Sequence, residues 1–430
     1  MKEINSRPRA LFPLMLCFFA MGFVDSVGVA THYIRADFQL SGTLSGLFAT
    51  MVFLWFLAGA VPSGLLMNKI GRRKTVLWSL LLTVAAFVVP FAHYSFWGMF
   101  FSFAFLGLGN TLMQVSLNPL VGNLVSPEKL PGMLTLGQFV KAVCSLLAPV
   151  AAGWCALYWQ DWKILYWFFL AEALLAFGAL ARTPIREAPP NAAQTGFKQA
   201  FGLLADSVIL SCFIGIICHV GLDVGMNMAA PKLLMERAGL GVAAAGSGSG
   251  VYFLWRTAGC LAGVFLLGRY GGQKIFRWSR GLIVAGWLLL WFGQTQAVLY
   301  AGISCVGLGN ANVFPVIFSQ ALWRSPTRQN EVSGLMIMGL VGTYACRAYQ
   351  PPAAPKIKIK KYPKNFIFSS HKNRASFRLP RFYYTKSPPE PGLTARGAPA
   401  RKNAQKPDGR GQYAHGARLG GSKIRRRAHE

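Results

Sequence analysis

Apolar residues in this chain come in long unbroken runs, without the two-residue alternation of exposed strands or the narrow stripe of a soluble amphipathic helix. A bilayer-spanning helix needs about 20 such residues. Runs of about that length lie at roughly 10–31, 44–67, 75–93, 97–121, 133–158, 162–182, 208–232, 241–268, 276–294 and 296–320. An eleventh begins at Glu331-Val332-Ser333-Gly334. The first run follows Lys2, Arg7 and Arg9, as a signal peptide would. It is too long for one, contains Asp25 and has no Ala-x-Ala cleavage site, so the pattern predicts a retained helix. The linker from Thr183 to Lys198 is polar and proline-bearing, and separates six runs from the rest.

The two sets of runs are related. A glycine-flanked basic loop, Gly64-Leu65-Leu66-Met67-Asn68-Lys69-Ile70-Gly71-Arg72-Arg73-Lys74, lies between the second and third runs. About two hundred residues on, Arg269, Gly271 and Lys274 match Lys69, Gly71 and Lys74. The same offset superposes Ala58-Gly59 on Ala258-Gly259, and Gly107-Leu108-Gly109-Asn110 on Gly307-Leu308-Gly309-Asn310. Such self-similarity predicts a duplicated membrane protein whose halves flank a central path.

Charge adds an orientation. Only 13% of residues are charged, against about a quarter in soluble domains. With the N-terminus in the cytoplasm, the inner loops hold Lys69, Arg72, Arg73, Lys74, Lys129, Arg182, Arg186, Lys198, Arg269, Lys274, Arg277, Arg280, Arg324 and Arg328. The outer loops hold only Arg35, His93, Lys163, Lys232 and Arg237. That bias places the chain in the cytoplasmic membrane with its N-terminus inside and excludes a soluble enzyme. The net charge of +30 suggests nucleic acid, but about 18 units fall after Cys346, so the charge describes a tail. The eight cysteines form no Cys-x-x-Cys pair, which favours buried free thiols over disulfides or a metal site.

Two sets of six helices joined by a linker, with Gly64, Asn68, Lys69, Gly71, Arg72 and Arg73 in a Gly-x-x-x-Asp-Arg-x-Gly-Arg-Arg/Lys loop, resemble the major facilitator superfamily over residues 10 to 343. The resemblance implies that this loop clamps the halves on the cytoplasmic side, its acid facing a helix N-terminus of the second half. Asn68 stands where the acid belongs, which implies a weaker clamp. Gly109-Asn110-Thr111-Leu112-Met113-Gln114-Val115-Ser116-Leu117-Asn118-Pro119, Leu134-Thr135-Leu136-Gly137-Gln138 and Trp255-Arg256-Thr257-Ala258-Gly259 resemble the fucose:proton symporter-like sugar transporters. That family has Glu at the place of Gln114, and its first-helix acid falls near Val29, one turn from Asp25.

Ionisable side chains inside a membrane are costly, so each is a functional candidate. Asp25 lies in the first run, while His219, Asp223 and Asn227 recur every four residues in the seventh and share a face. In the fold the resemblance implies, these two helices line the central cavity, which makes Asp25, Asp223 and His219 the proton-coupling candidates. The alternative is a structural acid paired with Lys141 or Arg256. Gln114, Asn118, Gln138 and Asn227 are candidate substrate ligands, because amides both donate to and accept from sugar hydroxyls, and Lys141 and Arg256 join them as cations that keep an anionic substrate open. Interhelical packing is the other reading of these amides, and the preferred one for Asn310. Tyr252, Phe253 and Trp255 suit a sugar ring or lipid. Glu172 reads as structural, and Gly246-Ser247-Gly248-Ser249-Gly250 reads as close helix packing rather than a phosphate loop.

Past about Gly342 the pattern stops. Val332 to Cys346 is about 15 residues, roughly 22 Å of helix, short of the ~30 Å hydrocarbon core. The remainder is proline-rich, arginine-rich and nearly acid-free, a composition expected to be disordered. It reads as a frame-shifted or foreign end, with a nonspecific nucleic-acid tail as the rival. Without helices 11 and 12, the loop at Asn68 is expected to lose its partner.

The expected organisation is an all-α membrane protein with a six-helix half (1–182), a cytoplasmic linker (183–205), a second half truncated in helix 11 (206–342) and a basic tail (343–430). The expected function is proton-coupled transport of a monosaccharide or similar polar solute by alternating access. The partners are that solute, protons and the bilayer, with the chain a monomer and no cofactor or specific nucleic acid implied. The alternatives are an exporter of organic anions or drugs, and an inactive truncated membrane protein.

Overall fold

The computed structural model describes residues 8–187 and 196–341. The tail expected over 343–430 lies outside the described residues, as does part of the linker. Among the described residues all regular structure is helical. Among the described residues nine helices are long and apolar enough to cross a membrane, and a bent pair makes a tenth. They are α1 (Ala10–Asp37), α2 (Gly42–Ala58 with Ala60–Ile70), α3 (Arg72–Ala92), α4 (Phe96–Gly122), α5 (Pro127–Tyr158), α6 (Ile164–Arg182), α7 (Ser207–Ala238), α8 (Ser247–Tyr270), α9 (Gly272–Phe292) and α10 (Gln296–Arg324). A shorter helix, α11 (Gln329–Met338), follows. The ten predicted spans therefore form, as does the start of the eleventh, whose expected break past about Gly342 lies outside the described residues.

Two details go beyond hydropathy. Helix α1 runs six residues past its predicted end, because the polar turn at His32 to Arg35 stays helical beyond the apolar run. It also tightens into a 3₁₀ segment at Gly22–Ser26, and Asp25 sits in that break. Helix α2 bends by 55° after Ala58. Pro62 has no N–H for the Ala58 carbonyl and its ring crowds that carbonyl, so the ladder opens there.

The duplication is visible in the packing. A Cβ on Gly107 would stand 2.7 Å from Val52 Cα, and one on Gly307 would stand 2.6 Å from the Tyr252 carbonyl oxygen. Gly109 and Gly309 are held equally close to Ser79 and Ser279, at 2.9 and 2.8 Å from their carbonyl oxygens. Each partner pair keeps the two-hundred-residue offset, so α2–α4 and α3–α4 pack as α8–α10 and α9–α10 do. The reversals into α3 and α9 both need positive φ, at Gly71 (+89°) and Gly271 (+77°). Between the halves, α2 meets α11, and α5 meets α8 and α10. Outward faces carry Trp78, Trp154, Trp167, Trp287, Trp291 and Phe265, apolar surface suited to lipid. Every described cysteine is a free thiol. Gly248 lies against Ala230 and Leu234 of α7, which is the close packing expected of the glycine-serine run.

The start of α7 gives a pH-dependent local stability. Asp206 caps it, accepting from the N–H groups of Val208 and Ile209, and its other oxygen accepts from Arg324 Nε at 2.7 Å. The Arg324 hydrogen bond, followed by the backbone bonds, holds this carboxyl below its ordinary value. Its stabilising effect is present above the usual unfolded value of about 3.9 and lost as pH falls through the lowered folded value. Acidification through that range should lower the protection of the Val208 and Ile209 amides, measured against intrinsic exchange at each pH. Asp206→Asn keeps a cap but removes the charge, and should make that protection insensitive to the same pH change.

Candidate functional site

Four turns into α7, Asp223 meets three side chains from α8 and α10. Tyr252 donates its hydroxyl to Asp223 Oδ1 at 2.6 Å, and Arg256 Nε stands 3.0 Å from the same oxygen. The guanidinium N–H is not aligned on that oxygen, so charge rather than a directed hydrogen bond joins the pair. Asn310 Nδ2 donates to the Tyr252 hydroxyl at 3.0 Å, and its Oδ1 takes His219 Nδ1 at 2.7 Å. With Asn310 Oδ1 as acceptor, the ring proton belongs on Nδ1. Helical spacing explains the convergence. His219 and Asp223 are one turn apart on α7, Tyr252 and Arg256 one turn apart on α8, and Asn310 closes the ring from α10. Of the partners left open for Asp223, the structure chooses Arg256.

The first half has a related but looser arrangement. Asp25 is exposed in the α1 break and accepts from the Ser145 hydroxyl of α5, not from Lys141. Gln138, Lys141 and Ser145 lie at i, i+3 and i+7 on one face of α5. No hydrogen bond or ion pair joins the side chains of Gln138 or Lys141 to another described residue. A Cβ on Gly22 would stand 2.8 Å from the Lys141 carbonyl oxygen, so glycine lets the break approach this face. Asn110, the repeat mate of Asn310, donates to the Met21 carbonyl oxygen at 2.8 Å, where the α-helical part of α1 ends.

The remaining candidates are dispersed. Gln114 and Asn118 are buried in α4, where Gln114 donates to Asn110 Oδ1 and Asn118 to the Gln114 carbonyl oxygen, so both serve packing in this conformation. Asn227 is exposed one turn beyond Asp223. Tyr252 is fully buried and polar in role, whereas Phe253 and Trp255 face outward. A surface depression at His32, Arg35, Ala36, Gln39 and Leu40 lies at the end of α1, away from these groups.

Glu172 of α6 is different again, with both carboxyl oxygens buried and without a hydrogen-bond partner among the described residues. Such a group costs stability wherever it is not needed. Glu172→Leu should stabilise the fold by about 1–2 kcal/mol. Thermal unfolding in detergent, followed through the buried cysteines, would show a raised melting temperature. A lowered one would mean that the carboxyl has a structural partner after all.

The basic ends of α2 and α3 form a second polar cluster. Asn68 Nδ2 donates to Glu331 Oε1 at 3.0 Å, and Asn68 Oδ1 accepts from Asn330 at 2.7 Å. Arg72 spreads over Asn330, Asn123, the Pro119 carbonyl oxygen and Gln329 at 2.7–3.1 Å. The expectation that Asn68 loses its partner is therefore corrected, because α11 is present through the turn that supplies Asn330 and Glu331. The carboxylate expected in the loop instead stands in the first turn of α11, where the helix N-terminus favours it, and Asn68 bonds to it as a donor. Glu187 was not anticipated. It accepts from the N–H groups of both Arg72 and Arg73, capping α3 from the linker, and a Cβ on Gly71 would meet its Oε2 at 3.0 Å. Arg73 also donates to the carbonyl oxygens of Leu180 and Ala181, while Lys69 is exposed.

Comparison with known proteins agrees with this architecture. The model of the Major Facilitator Superfamily matches residues 14–343. A glucose/galactose transporter of Brucella abortus is 24% identical over 358 residues, covering 77% of this chain and 84% of that protein. The multidrug resistance protein MdtL of Shewanella oneidensis is 23% identical over 356 residues, covering 78% and 87%. Among solved structures, the transporter FucP in its outward conformation superposes with a TM-score of 0.72 at 16% identity, covering 81% of this chain and 91% of FucP. With its duplicated helical halves, its basic-end cluster and the family match along most of its length, the chain belongs to the major facilitator superfamily, whose members are multi-pass membrane transporters and not enzymes.

Proposed function

We propose that this chain moves a monosaccharide or similar small polar solute across the cytoplasmic membrane by alternating access, coupled to protons. The observation that carries the reading is the placing of one acid in each half on a polar helix face, Asp223 against Arg256 and Tyr252 and Asp25 against Ser145. An acid that can exchange a cation for a proton is suited to coupling. The half-buried amide of Gln138, on the Ser145 face of α5, and the exposed amide of Asn227, one turn from Asp223, suit hydroxyl groups. The sugar assignment draws on the Brucella abortus relative, which is a glucose/galactose transporter. With the basic loops cytoplasmic, the Asn68–Glu331 and Arg72–Asn330 bonds close the inner side, and the solute enters from outside. A monomer suffices, since both halves lie in one chain.

An organic-anion or drug substrate is the second reading. It is favoured by the unpartnered Lys141 and by the relative named as a multidrug resistance protein.

The test is transport by the purified full chain in liposomes. Adding glucose or galactose outside should alkalinise the external medium as protons enter with sugar. Asp25→Asn and Asp223→Asn should abolish that signal at least tenfold. Uptake of sugar with no movement of protons would remove the coupling, and silence across a neutral-sugar panel would remove the sugar.

A further inference from the structure

The charges contributed by the two halves do not balance in the same way. In the second half, Asp223 accepts from Tyr252, lies 3.0 Å from Arg256 and is reached by Asn310, so its charge is met on the spot. In the first half, Asp25 is met by the Ser145 hydroxyl, and the Lys141 side chain on the same face of α5 makes no hydrogen bond or ion pair among the described residues. Lys141 lies mid-helix in α5, one turn before Ser145, so it belongs to this polar face and not to a loop. An ammonium at this depth without a counter-ion is costly, and the cost falls when an anion enters beside it.

The unpartnered amides complete the picture. Gln138 stands about one turn from Lys141, and Asn227 one turn from Asp223, both with free donors and acceptors. We infer that the solute carries one carboxylate together with several hydroxyls: a sugar acid such as a hexuronate, its carboxylate held by Lys141 and its hydroxyls read by Gln138 and Asn227. This deepens the transport reading and rests on the same site. It also explains why a site built for hydroxyls keeps a spare cation.

Two measurements on the full chain test it. In liposomes under an inward proton gradient, uptake of labelled glucuronate and galacturonate is compared with that of glucose and galactose. In detergent, equilibrium binding of labelled glucuronate is measured without turnover. The acids should be preferred at least tenfold in both. Lys141→Gln should erase that preference, and Lys141→Arg should keep it. Neutral hexoses bound or carried in preference to the acids would overturn the inference while leaving sugar transport standing. A preference for acids that survives in Lys141→Gln would overturn the role of Lys141. Binding of glucuronate without uptake would support the inference and count against the transport reading. Neither binding nor uptake of glucuronate would overturn the inference outright.

Discussion

Arg256→Ala should be the most damaging single change at the centre of the molecule, costing about 3 kcal/mol of stability and all coupled transport. The guanidinium and the Asp223 carboxylate are each exposed by little more than a fifth, at 23% and 22%. Deleting one partner leaves the other charge in the membrane interior with only Tyr252 and Asn310 to meet it. Removing one member of a buried pair costs about 3–5 kcal/mol, and partial exposure places this pair at the lower end. Removing both is milder, because no charge is stranded. Arg256→Gln with Asp223→Asn should therefore recover most of the lost stability without recovering transport, a coupling that a double-mutant cycle measures. Arg256→Lys keeps the charge but not the planar guanidinium, so it should fold well and transport poorly. Thermal unfolding of wild type, Arg256→Gln, Asp223→Asn and the double variant, with Arg256→Ala and Arg256→Lys beside them, in one detergent decides the matter. A double variant no more stable than Arg256→Ala would mean that the pair is not the structural unit described.

Legibility in the sequence divided along physical lines. The spans were readable because water-to-lipid transfer acts on every residue of a run, and ten runs became ten spans. The repeat was readable because a glycine at a helix crossing has no substitute. Gly107 on Val52 and Gly307 on Tyr252 repeat one contact two hundred residues apart. The α2 bend was not, since Gly59 and Pro62 interrupt the backbone and not the hydropathy. Asp223 stood out as a charge in an apolar run, but its partners did not. Tyr252 is one aromatic among many, and only its register with Arg256 on α8 marks it. The basic-end acids were hidden by distance. Glu331 meets Asn68 across 263 residues and Glu187 meets Arg72 across 115, separations that no local pattern encodes. Glu331 stands at the start of α11, at the edge of the apolar pattern, and Glu187 stands in the linker. Gln114 and Asn118 show the opposite case, in which amides that suit a solute in sequence spend their bonds on their own helix.

Gly64→Val should open the basic end. A Cβ on Gly64 would stand 2.6 Å from the Asn330 carbonyl oxygen, and one on Gly334 of α11 would stand 2.9 Å from the Ala60 carbonyl oxygen. Helices α2 and α11 thus touch backbone to backbone, as small residues allow within membranes. Backbone cannot move aside as a flexible side chain can, so a branched residue at 64 must drive the helices apart. That separation breaks Asn68–Glu331, Asn68–Asn330, Arg72–Asn330 and Arg72–Gln329 together, because all four span the same crossing. At about 1 kcal/mol each, such bonds hold the closed arrangement by roughly three powers of ten in population. Ser333 reports the change. It is fully buried, donates to the Val115 carbonyl oxygen, and tolerates a near-isosteric thiol. Ser333→Cys alone should resist a water-soluble maleimide, while Ser333→Cys with Gly64→Val should label quickly, read at that site by peptide mapping. Gly64→Ala, with less bulk, should fall between the two. Equal protection in all three would show that α11 yields without releasing α2, and that the four bonds are not what keeps this end shut.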